Sequence, residues 1–175
     1  MTTEPVDPEQ GVDPLRYRRV VGRFATGITV VTAAHDGIDY AMTVNSFASV
    51  SLDPVQALFC CEKASRLHRA IVAGNDWAVS VLSVDQRDVA QWFATRGRPI
   101  EGQFRRVPHH RGSASGALLL SEAIATLECR TAALHPAGDH TVVLGEVIDV
   151  GTPRPDGLPL LYYRGDYSGF DGSPR

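Results

Sequence analysis

Hydrophobic residues recur at near-helical spacing at the start of the chain and then gather in short runs. The first set comprises Leu15, Val20, Val21 and Phe24. Asp13-Pro14 directly precedes it, in the order expected of a helix N-cap followed by a proline in the first turn. We therefore predict a short helix that begins at Pro14.

The runs further along are rich in β-branched residues and predict strands. Asp36-Gly37 is a hairpin turn signal between residues 28–32 and residues 39–46. Further apolar runs predict strands at residues 57–61, 77–82, 125–134, 141–150 and 160–163, the last of these ending the fold. The two long runs would pair as antiparallel strands joined by a six-residue loop, residues 135–140.

Two more helices are predicted between these strands. Ser65 is placed to cap a helix that extends to Ala73. Asp85 is placed to cap the next helix, whose apolar stripe consists of Val89, Ala90 and Phe93. Residues 97–116 are basic, rich in glycine and irregular, so we expect a loop there.

Strands at this density, joined by glycine and proline turns and accompanied by a few short helices, are typical of a mainly β protein. They favour an antiparallel barrel over repeated βαβ units. We expect one domain, residues 14–170, between a flexible N-terminal tail at residues 1–13 and a C-terminal tail at residues 171–175.

Composition narrows the classes of function. The net charge of -3 argues against a nucleic-acid-binding surface, which usually needs a clustered positive field. No run approaches the roughly 18 apolar residues of a membrane span, so we predict a soluble protein. Its three cysteines, Cys60, Cys61 and Cys129, form neither a disulfide framework nor a metal motif. They suit the reducing cytoplasm, and we predict no metal site.

Several familiar cofactor and catalytic motifs are missing from the sequence. It contains no Gly-x-Gly-x-x-Gly turn, no phosphate loop of the Gly-x-x-x-x-Gly-Lys-Ser/Thr type and no Gly-x-Ser-x-Gly elbow. These absences weaken the hypotheses of a Rossmann fold, a P-loop nucleotidase and an α/β-hydrolase.

Polar residues crowd the end of one predicted strand and the loop after it, residues 42–51. They are Thr43, Asn45, Ser46, Ser49 and Ser51. Their hydroxyl, amide and backbone groups would suit a flat heteroaromatic ring that carries a ribityl-phosphate chain. A strand with a polar face toward solvent shows the same pattern, so this segment alone does not decide between the two.

A second segment, residues 61–66, follows a predicted strand and opens a predicted helix. Backbone N–H groups, the Ser65 hydroxyl and the cations Lys63 and Arg66 would converge there on an anion. The segment therefore predicts a phosphate site, although Glu62 places a negative charge beside it.

Together these segments resemble the flavin reductase-like family, the FMN-binding split-barrel proteins that serve as reductase components of two-component flavin-dependent monooxygenases. The resemblance extends over five motifs: Phe24-Ala25-Thr26-Gly27-Ile28-Thr29-Val30-Val31-Thr32, Met42-Thr43-Val44-Asn45-Ser46-Phe47-Ala48-Ser49-Val50-Ser51, Ser65-Arg66, Ala137-Gly138-Asp139-His140-Thr141-Val142-Val143-Leu144-Gly145-Glu146 and Leu161-Tyr162-Tyr163-Arg164-Gly165-Asp166-Tyr167. It implies a six-stranded antiparallel split β-barrel with short flanking helices, in a homodimer with flavin near the subunit interface.

The resemblance also assigns the cofactor-binding residues. The isoalloxazine and ribityl groups would be held by Met42, Thr43, Asn45 and Ser46. The ribityl-phosphate end would run along Ser49, Cys60, Cys61, Lys63, Ser65 and Arg66, and Phe104 would pack against the flavin. NADH would meet His140, where the family places a histidine, and Arg164 and Tyr167, which would otherwise finish the rim of the barrel.

The implied activity is that of an NADH-dependent flavin reductase. It would transfer hydride from NADH to FAD or FMN and release the reduced flavin to a separate monooxygenase. The hydride passes directly between the two cofactors, so no catalytic acid or base is expected. Two alternatives stay open: a split-barrel protein that binds flavin or haem tightly without acting as a diffusible reductase, and a non-enzymatic barrel that serves as a binding module. The sequence leaves FAD against FMN, and NADH against NADPH, undecided.

Overall fold

The computed structural model describes residues 11–74 and 76–170. The C-terminal tail predicted at residues 171–175, and the first ten residues of the predicted N-terminal tail, lie outside this range. The first helix, α1 (Pro14–Val21), begins where the sequence predicts. Asp13 caps it, because its carboxylate accepts hydrogen bonds from the backbone N–H groups of Leu15 and Arg16 at 3.3 and 2.8 Å.

Within the described residues the chain forms twelve strands, a 3₁₀ turn and two further helices. The strands are β1 (Thr26–Gly27), β2 (Thr29–His35), β3 (Ile38–Val44), β4 (Ala48–Leu52), β5 (Val55–Glu62), β6 (Trp77–Val81), β7 (His109–Arg111), β8 (Leu118–Leu120), β9 (Ala125–Ala137), β10 (His140–Gly151), β11 (Leu160–Tyr163) and β12 (Asp166–Gly169). The helices are α2 (Arg66–Val72) and α3 (Arg87–Ala94), with the 3₁₀ turn at Val84–Gln86. The prediction of a mainly β, antiparallel fold is confirmed.

The main sheet has seven strands in the order β3-β2-β6-β9-β10-β5-β4, one more than the expected six. Its two edge strands, β3 and β4, are joined by residues 45–47 alone. In a flat sheet, six strand spacings would separate these edges by about 29 Å. The chain from Val44 to Ala48 reaches at most about 14 Å. The sheet must therefore curl until its edges meet, and residues 45–47 form the seam of the resulting barrel.

Two smaller sheets complete the fold, one of order β1-β11-β12 and one of β7 with β8. Sequence reasoning missed five strands, namely β1, β4, β7, β8 and β12. Each has at most five residues, too few for a hydrophobic period to stand out. Strand β7 lies inside residues 97–116, so the prediction of an uninterrupted loop there is wrong.

The turn between the two long strands is also shorter than predicted. Strands β9 and β10 stay paired as far as Ala137↔His140, which leaves Gly138-Asp139 as a two-residue turn in place of the expected six-residue loop. Pro136 favours the prediction of a loop, because proline has no backbone N–H to donate to a neighbouring strand. The strand tolerates it because β6 pairs with β9 only from Ala125 to Cys129, so Pro136 lies beyond that ladder, on an edge.

The sequence predicts that Asp85 caps α3, but the helix begins at Arg87. The backbone N–H of Ser83 donates to Oε1 of Gln86 at 3.0 Å, in a capping arrangement around the 3₁₀ turn that precedes α3. Asp85 lies within that turn, and its carboxylate pairs with Arg154 at 3.2 Å. The carboxylate therefore anchors a distant loop instead of capping a helix.

The main sheet is packed on both faces, which explains the uninterrupted apolar run in β2. Neighbouring residues of a strand point to opposite faces, so Val30 joins one core cluster and Val31 the other. The cluster around Val30 includes Phe93 of α3, and the cluster around Val31 includes Leu67 of α2. The helices thus cover opposite faces of the barrel wall.

Candidate functional site

Ser46 closes the seam between the two sheet edges. Ala48 pairs with Leu58 in the β4–β5 ladder, so the next partner of Cys60 in that register is Ser46. The hydroxyl of Ser46 takes the place of a backbone pair: it accepts from the N–H of Cys60 at 3.0 Å and donates to the carbonyl of Cys60 at 3.4 Å. The polar character of this position therefore has a structural reason.

Thr43 has a similar role on the other side of the seam. Its hydroxyl donates to the carbonyl of Ala90 at 2.7 Å and so fastens α3 to β3. Met42, the neighbour of Thr43, faces the other side of the strand and packs against the core beneath α2. Asn45 and Ser49 are exposed, on either side of Ser46. Of the predicted flavin residues in this segment, these two present their side chains most fully to solvent.

Strand β5 leads from the seam to α2, where the predicted phosphate segment lies. Ser65 caps α2, as the sequence predicts, and its hydroxyl accepts from the N–H of His68 at 3.2 Å. Cys61 lies beneath this cap, with its sulfur 3.6 Å from the Ser65 hydroxyl and none of its surface exposed. The side chain of Cys61 therefore faces the core and not the predicted flavin site, whereas half-buried Cys60 faces the opposite side.

Burial also fixes the chemistry of two thiols. It raises the pKa of Cys61 to about 11 and that of Cys129 to about 12, because a thiolate would lose its hydration in the core. Both thiols therefore stay protonated at neutral pH and are unreactive.

Lys63 joins this segment to the turn that carries His140. Its ammonium donates to the carbonyl of Gly138 at 2.6 Å, and its backbone N–H donates to the carbonyl of Asp139 at 3.0 Å. The β5–β10 ladder ends in the pair Glu62↔His140, directly beside these contacts. Two segments that carry separate sequence signals, 75 residues apart, are thus in contact.

His140 itself lies at the start of β10 and is partly exposed. Its Nδ1 is 2.7 Å from the carboxylate of Asp139, and 40% of its side chain is accessible. The hydrogen bond and the charge of His140 lower the pKa of the Asp139 carboxyl below its usual range, with a smaller contribution from Lys63. The Asp139 carboxylate therefore fixes one ring nitrogen of His140 and leaves the opposite edge of the ring turned away from that contact.

Two arginines that the sequence reasoning missed complete the site. Arg96, just beyond α3, pairs with Glu62 at 2.6 Å and so compensates the negative charge that counted against a phosphate site. Arg98 is half-buried and donates to the carbonyls of Ala41 and of two residues at the end of α3, Phe93 and Thr95. The only sequence signal for them is the basic character of the segment that begins near Gly97, which we interpreted as a loop.

The charge of Arg66 affects the pKa of Arg98. Burial and the positive charge of Arg66 lower the pKa of Arg98 to about 10. The two positive charges therefore repel one another, and a bound anion would relieve that repulsion. With Glu62 already paired, this part of the site favours a negatively charged ligand.

The structure does not bring the other predicted residues to this place. Phe104 is only 8% exposed and packs in the core, with its ring centroid 5.1 Å from that of Phe93. It packs as a core residue, and its assignment as a flavin contact stays a prediction. Arg164 occupies the β11–β12 turn at a positive φ of 55°, and its backbone N–H donates to the carbonyl of Gly22 at 2.7 Å.

Tyr167 lies close to the N-terminal end of α3. It packs against Tyr162 with ring centroids 5.4 Å apart, and the guanidinium of Arg87 lies 5.9 Å from its ring centre. Arg96 and Glu62 meet beyond the other end of this helix, which is about 12 Å long at 1.5 Å per residue. The residues predicted to bind NADH are therefore divided between the two ends of α3.

Residues 21–171 match the family described as the flavin reductase like domain. The chain belongs to this family.

Its relatives among flavin reductases match over most of their length. The chain is 38% identical over 161 residues to the flavin-dependent monooxygenase reductase subunit HsaB of Mycobacterium tuberculosis, covering 91% of this chain and 84% of that protein. It is 42% identical over 168 residues to an NADH-dependent FAD reductase of Streptomyces globisporus, covering 95% and 90%.

A solved structure from the same family is similar throughout. The Streptomyces globisporus C-1027 NADH:FAD oxidoreductase SgcE6, in complex with NAD and FAD fragments, superposes with a TM-score of 0.89 at 39% identity. The match covers 99% of this chain and all of that one. The split-barrel architecture expected from the sequence motifs is therefore confirmed.

The described residues contain neither a membrane-spanning helix nor a cluster of metal ligands. Within residues 11–74 and 76–170, no helix combines the length and apolar character needed to cross a membrane. The same ranges hold no group of three or more His, Cys, Asp or Glu side chains arranged to bind a metal ion.

The seam gives a direct test of its own importance. Replacing Ser46 by alanine removes both hydrogen bonds to Cys60, and we expect the free energy of unfolding to fall by about 1 kcal/mol. Ser49→Ala is the matched control, because Ser49 is exposed on the adjoining strand; we expect a change within about 0.5 kcal/mol. Urea unfolding followed by tryptophan fluorescence measures both, and equal midpoints for the two variants would contradict the role of Ser46.

Proposed function

We propose that this protein is an NADH-dependent flavin reductase that transfers hydride from NADH to FAD or FMN and releases the reduced flavin to a separate monooxygenase. The observation that carries the proposal is the contact of Lys63 and Glu62 with the Gly138–His140 turn. It joins the predicted flavin segment to the histidine predicted to meet NADH. The relatives named as NADH-dependent FMN and FAD reductases support the same activity.

The charges of the site fit a flavin phosphate. The positive charge of Arg66 acts on Arg98, and Glu62 is already paired with Arg96. We assign the phosphate to Arg66, whose side chain is half-buried at the first turn of α2. The Ser65 hydroxyl is already used to cap that helix, so it shapes the site more than it binds the ligand.

In this proposal the ring and ribityl groups of the flavin bind at the seam and the strand ends beside it. Thr43 and Ser46 hold α3 and β5 in place, and the exposed side chains of Asn45 and Ser49 contact the ligand. Met42 supports the strand from below, and Cys60 lies beside Ser46. These residues fit a flat ring with a polyol chain because they combine backbone groups, short hydroxyls and one amide.

His140 orients the nicotinamide ring in this proposal, and Asp139 in turn orients His140. The bound flavin supplies the hydride acceptor, so the protein needs no catalytic acid or base and acts by aligning two rings. Arg164 and Tyr167 fit the alternative role of finishing the rim of the barrel, since Tyr167 packs against Tyr162 and Arg87.

We also infer a homodimer and a cytoplasmic location. Helix α1 has no buried residue, and the apolar side chains Leu15, Val20 and Phe24 are 63%, 63% and 73% exposed. Exposed apolar side chains on and just beyond one helix normally mark a contact surface, here for a second copy of the chain. All three cysteines are unpaired, which suits a reducing compartment.

The activity is tested by following the oxidation of NADH and NADPH with riboflavin, FMN or FAD added in turn. We expect oxidation that depends on added flavin and is faster with NADH. No oxidation with any flavin would instead support a binding module. A coloured protein that stays coloured through purification and ignores added flavin would support the alternative of a tightly bound flavin or haem.

The phosphate assignment is tested by Arg66→Met. Losing one charged hydrogen bond to the phosphate should raise the Kd for FMN about tenfold, or about 1.4 kcal/mol, and leave the Kd for riboflavin unchanged. Arg69→Met is the matched control, because Arg69 is exposed in the last turn of the same helix. Fluorescence titration measures each Kd, and equal FMN affinities for the two variants would exclude Arg66 as the phosphate partner.

The dimer is tested by sedimentation velocity. We expect the native protein to sediment as a dimer at micromolar concentration, and Phe24→Asp to shift it toward the monomer because a charge would be buried in an apolar contact. Ile38→Asp, at a hairpin residue that is 40% exposed, is the control and should leave the dimer intact. A monomeric native protein would contradict the inference.

A further inference from the structure

The side chain of Lys63 is directed at the β9–β10 turn and not only at a phosphate. Its ammonium lies 2.6 Å from the carbonyl of Gly138, and the backbone N–H of the same residue reaches the next carbonyl, that of Asp139, at 3.0 Å. One residue of the β5–α2 junction thus satisfies two successive carbonyls of the turn. Lys63 is also the sole lysine of the sequence, so no other residue duplicates its ammonium.

The two hydrogen bonds of Lys63 lie just beyond the last paired residues of the sheet. The β9–β10 ladder ends at Ala137↔His140, and the β5–β10 ladder ends at Glu62↔His140. Gly138 and Asp139 lie beyond both ladders, with Gly138 at a positive φ of 57°. Lys63 therefore extends the support of the sheet by one turn, on the side from which β5 approaches.

The support continues from the turn to the imidazole of His140. Lys63 holds the Asp139 backbone, and the Asp139 carboxylate holds Nδ1 of His140 at 2.7 Å. The carboxylate is 90% exposed, so the hydrogen bond to His140 and the backbone of the turn are what fix its place. Any movement of the turn would consequently move the imidazole with it.

We propose that Lys63 is a positioning residue for hydride transfer, which holds the Gly138-Asp139 turn so that His140 meets the nicotinamide ring in one orientation. This inference rests on the proposed contact of His140 with NADH. The sequence motif suggested that Lys63 binds the flavin phosphate. In this inference the Lys63 ammonium instead supports the residue that meets NADH, and Arg66 binds the phosphate.

The experiment compares Lys63→Met, Lys63→Arg, His140→Gln and the double variant Lys63→Met/His140→Gln. We expect Lys63→Met to raise KM for NADH by about three- to tenfold, the effect of one lost hydrogen bond, because methionine keeps the backbone bond to Asp139; the Kd for FMN should be unchanged. Lys63→Arg should restore most of the affinity, because a guanidinium can also donate to the Gly138 carbonyl. Arg130→Met, which removes an exposed cation paired with Asp76 at 3.6 Å, is the control and should leave both constants unchanged.

The double variant separates positioning from direct binding. If Lys63 acts through His140, removing both should raise KM no further than His140→Gln alone, because residues that act in series are not additive. Multiplied effects in the double variant, or a raised Kd for FMN in Lys63→Met with KM for NADH unchanged, would overturn the inference.

The same measurements distinguish this inference from the proposed function. Absence of flavin-dependent NADH oxidation in the native protein would overturn the function itself. Oxidation by the native protein, with an unchanged KM for NADH in His140→Gln, would overturn the roles of both His140 and Lys63 and leave the reductase activity standing. Thermal melting of each variant, within a few degrees of the native protein, confirms that the changes in KM do not come from unfolding.

Discussion

The three residues that connect β3 to β4 constrain the whole structure. They join strands at opposite edges of a seven-stranded sheet, so the sheet has to close on itself. The closure is completed by a side chain, because the hydroxyl of Ser46 forms both bonds that a further ladder pair would have made with Cys60. Strand β5 is thereby fixed at the seam. Glu62 and Lys63, at the end of this strand, therefore lie beside the turn that precedes β10.

Helix α3 links this seam to the rest of the site. Thr43 holds the helix in its middle, through the carbonyl of Ala90, and Arg98 holds its end through carbonyls that no longer have a partner within the helix. The chain that leaves α3 then carries Arg96 to Glu62. Arg96 and Arg98 beyond α3, and Arg66 at the start of α2, thus surround a carboxylate that is already neutralised, and their combined charge favours an anionic ligand.

Much of this could be read from the sequence, because strong signals are local. The cap at Asp13, the Asp36-Gly37 hairpin and the cap at Ser65 each depend on a few neighbouring residues, and all three are present. The polar residues in and beside the seam were also recognisable. The sequence did not show, however, that the hydroxyls of Thr43 and Ser46 form hydrogen bonds within the protein itself.

Contacts between distant segments were not predictable in the same way. Nothing in the local pattern shows that Arg96 neutralises Glu62, that Lys63 reaches Gly138, or that Phe104 turns inward onto Phe93. Pro136 misled the prediction for a similar reason, since a proline is excluded from a strand only when a neighbour needs its N–H. These outcomes depend on which strands become neighbours after the barrel closes.

The seam has a further consequence for how such a chain can change over generations. An added residue between Val44 and Ala48 would either slacken the closure or slip β4 by one position against β5, and a slip of one residue exchanges the inward and outward sides of a strand. The exposed Asp36-Gly37 turn has no such restriction, because extra residues at the tip of a hairpin leave the register of its two strands unchanged. Insertions and deletions should therefore accumulate at such turns and be absent from the seam, where length is inherited more strictly than composition.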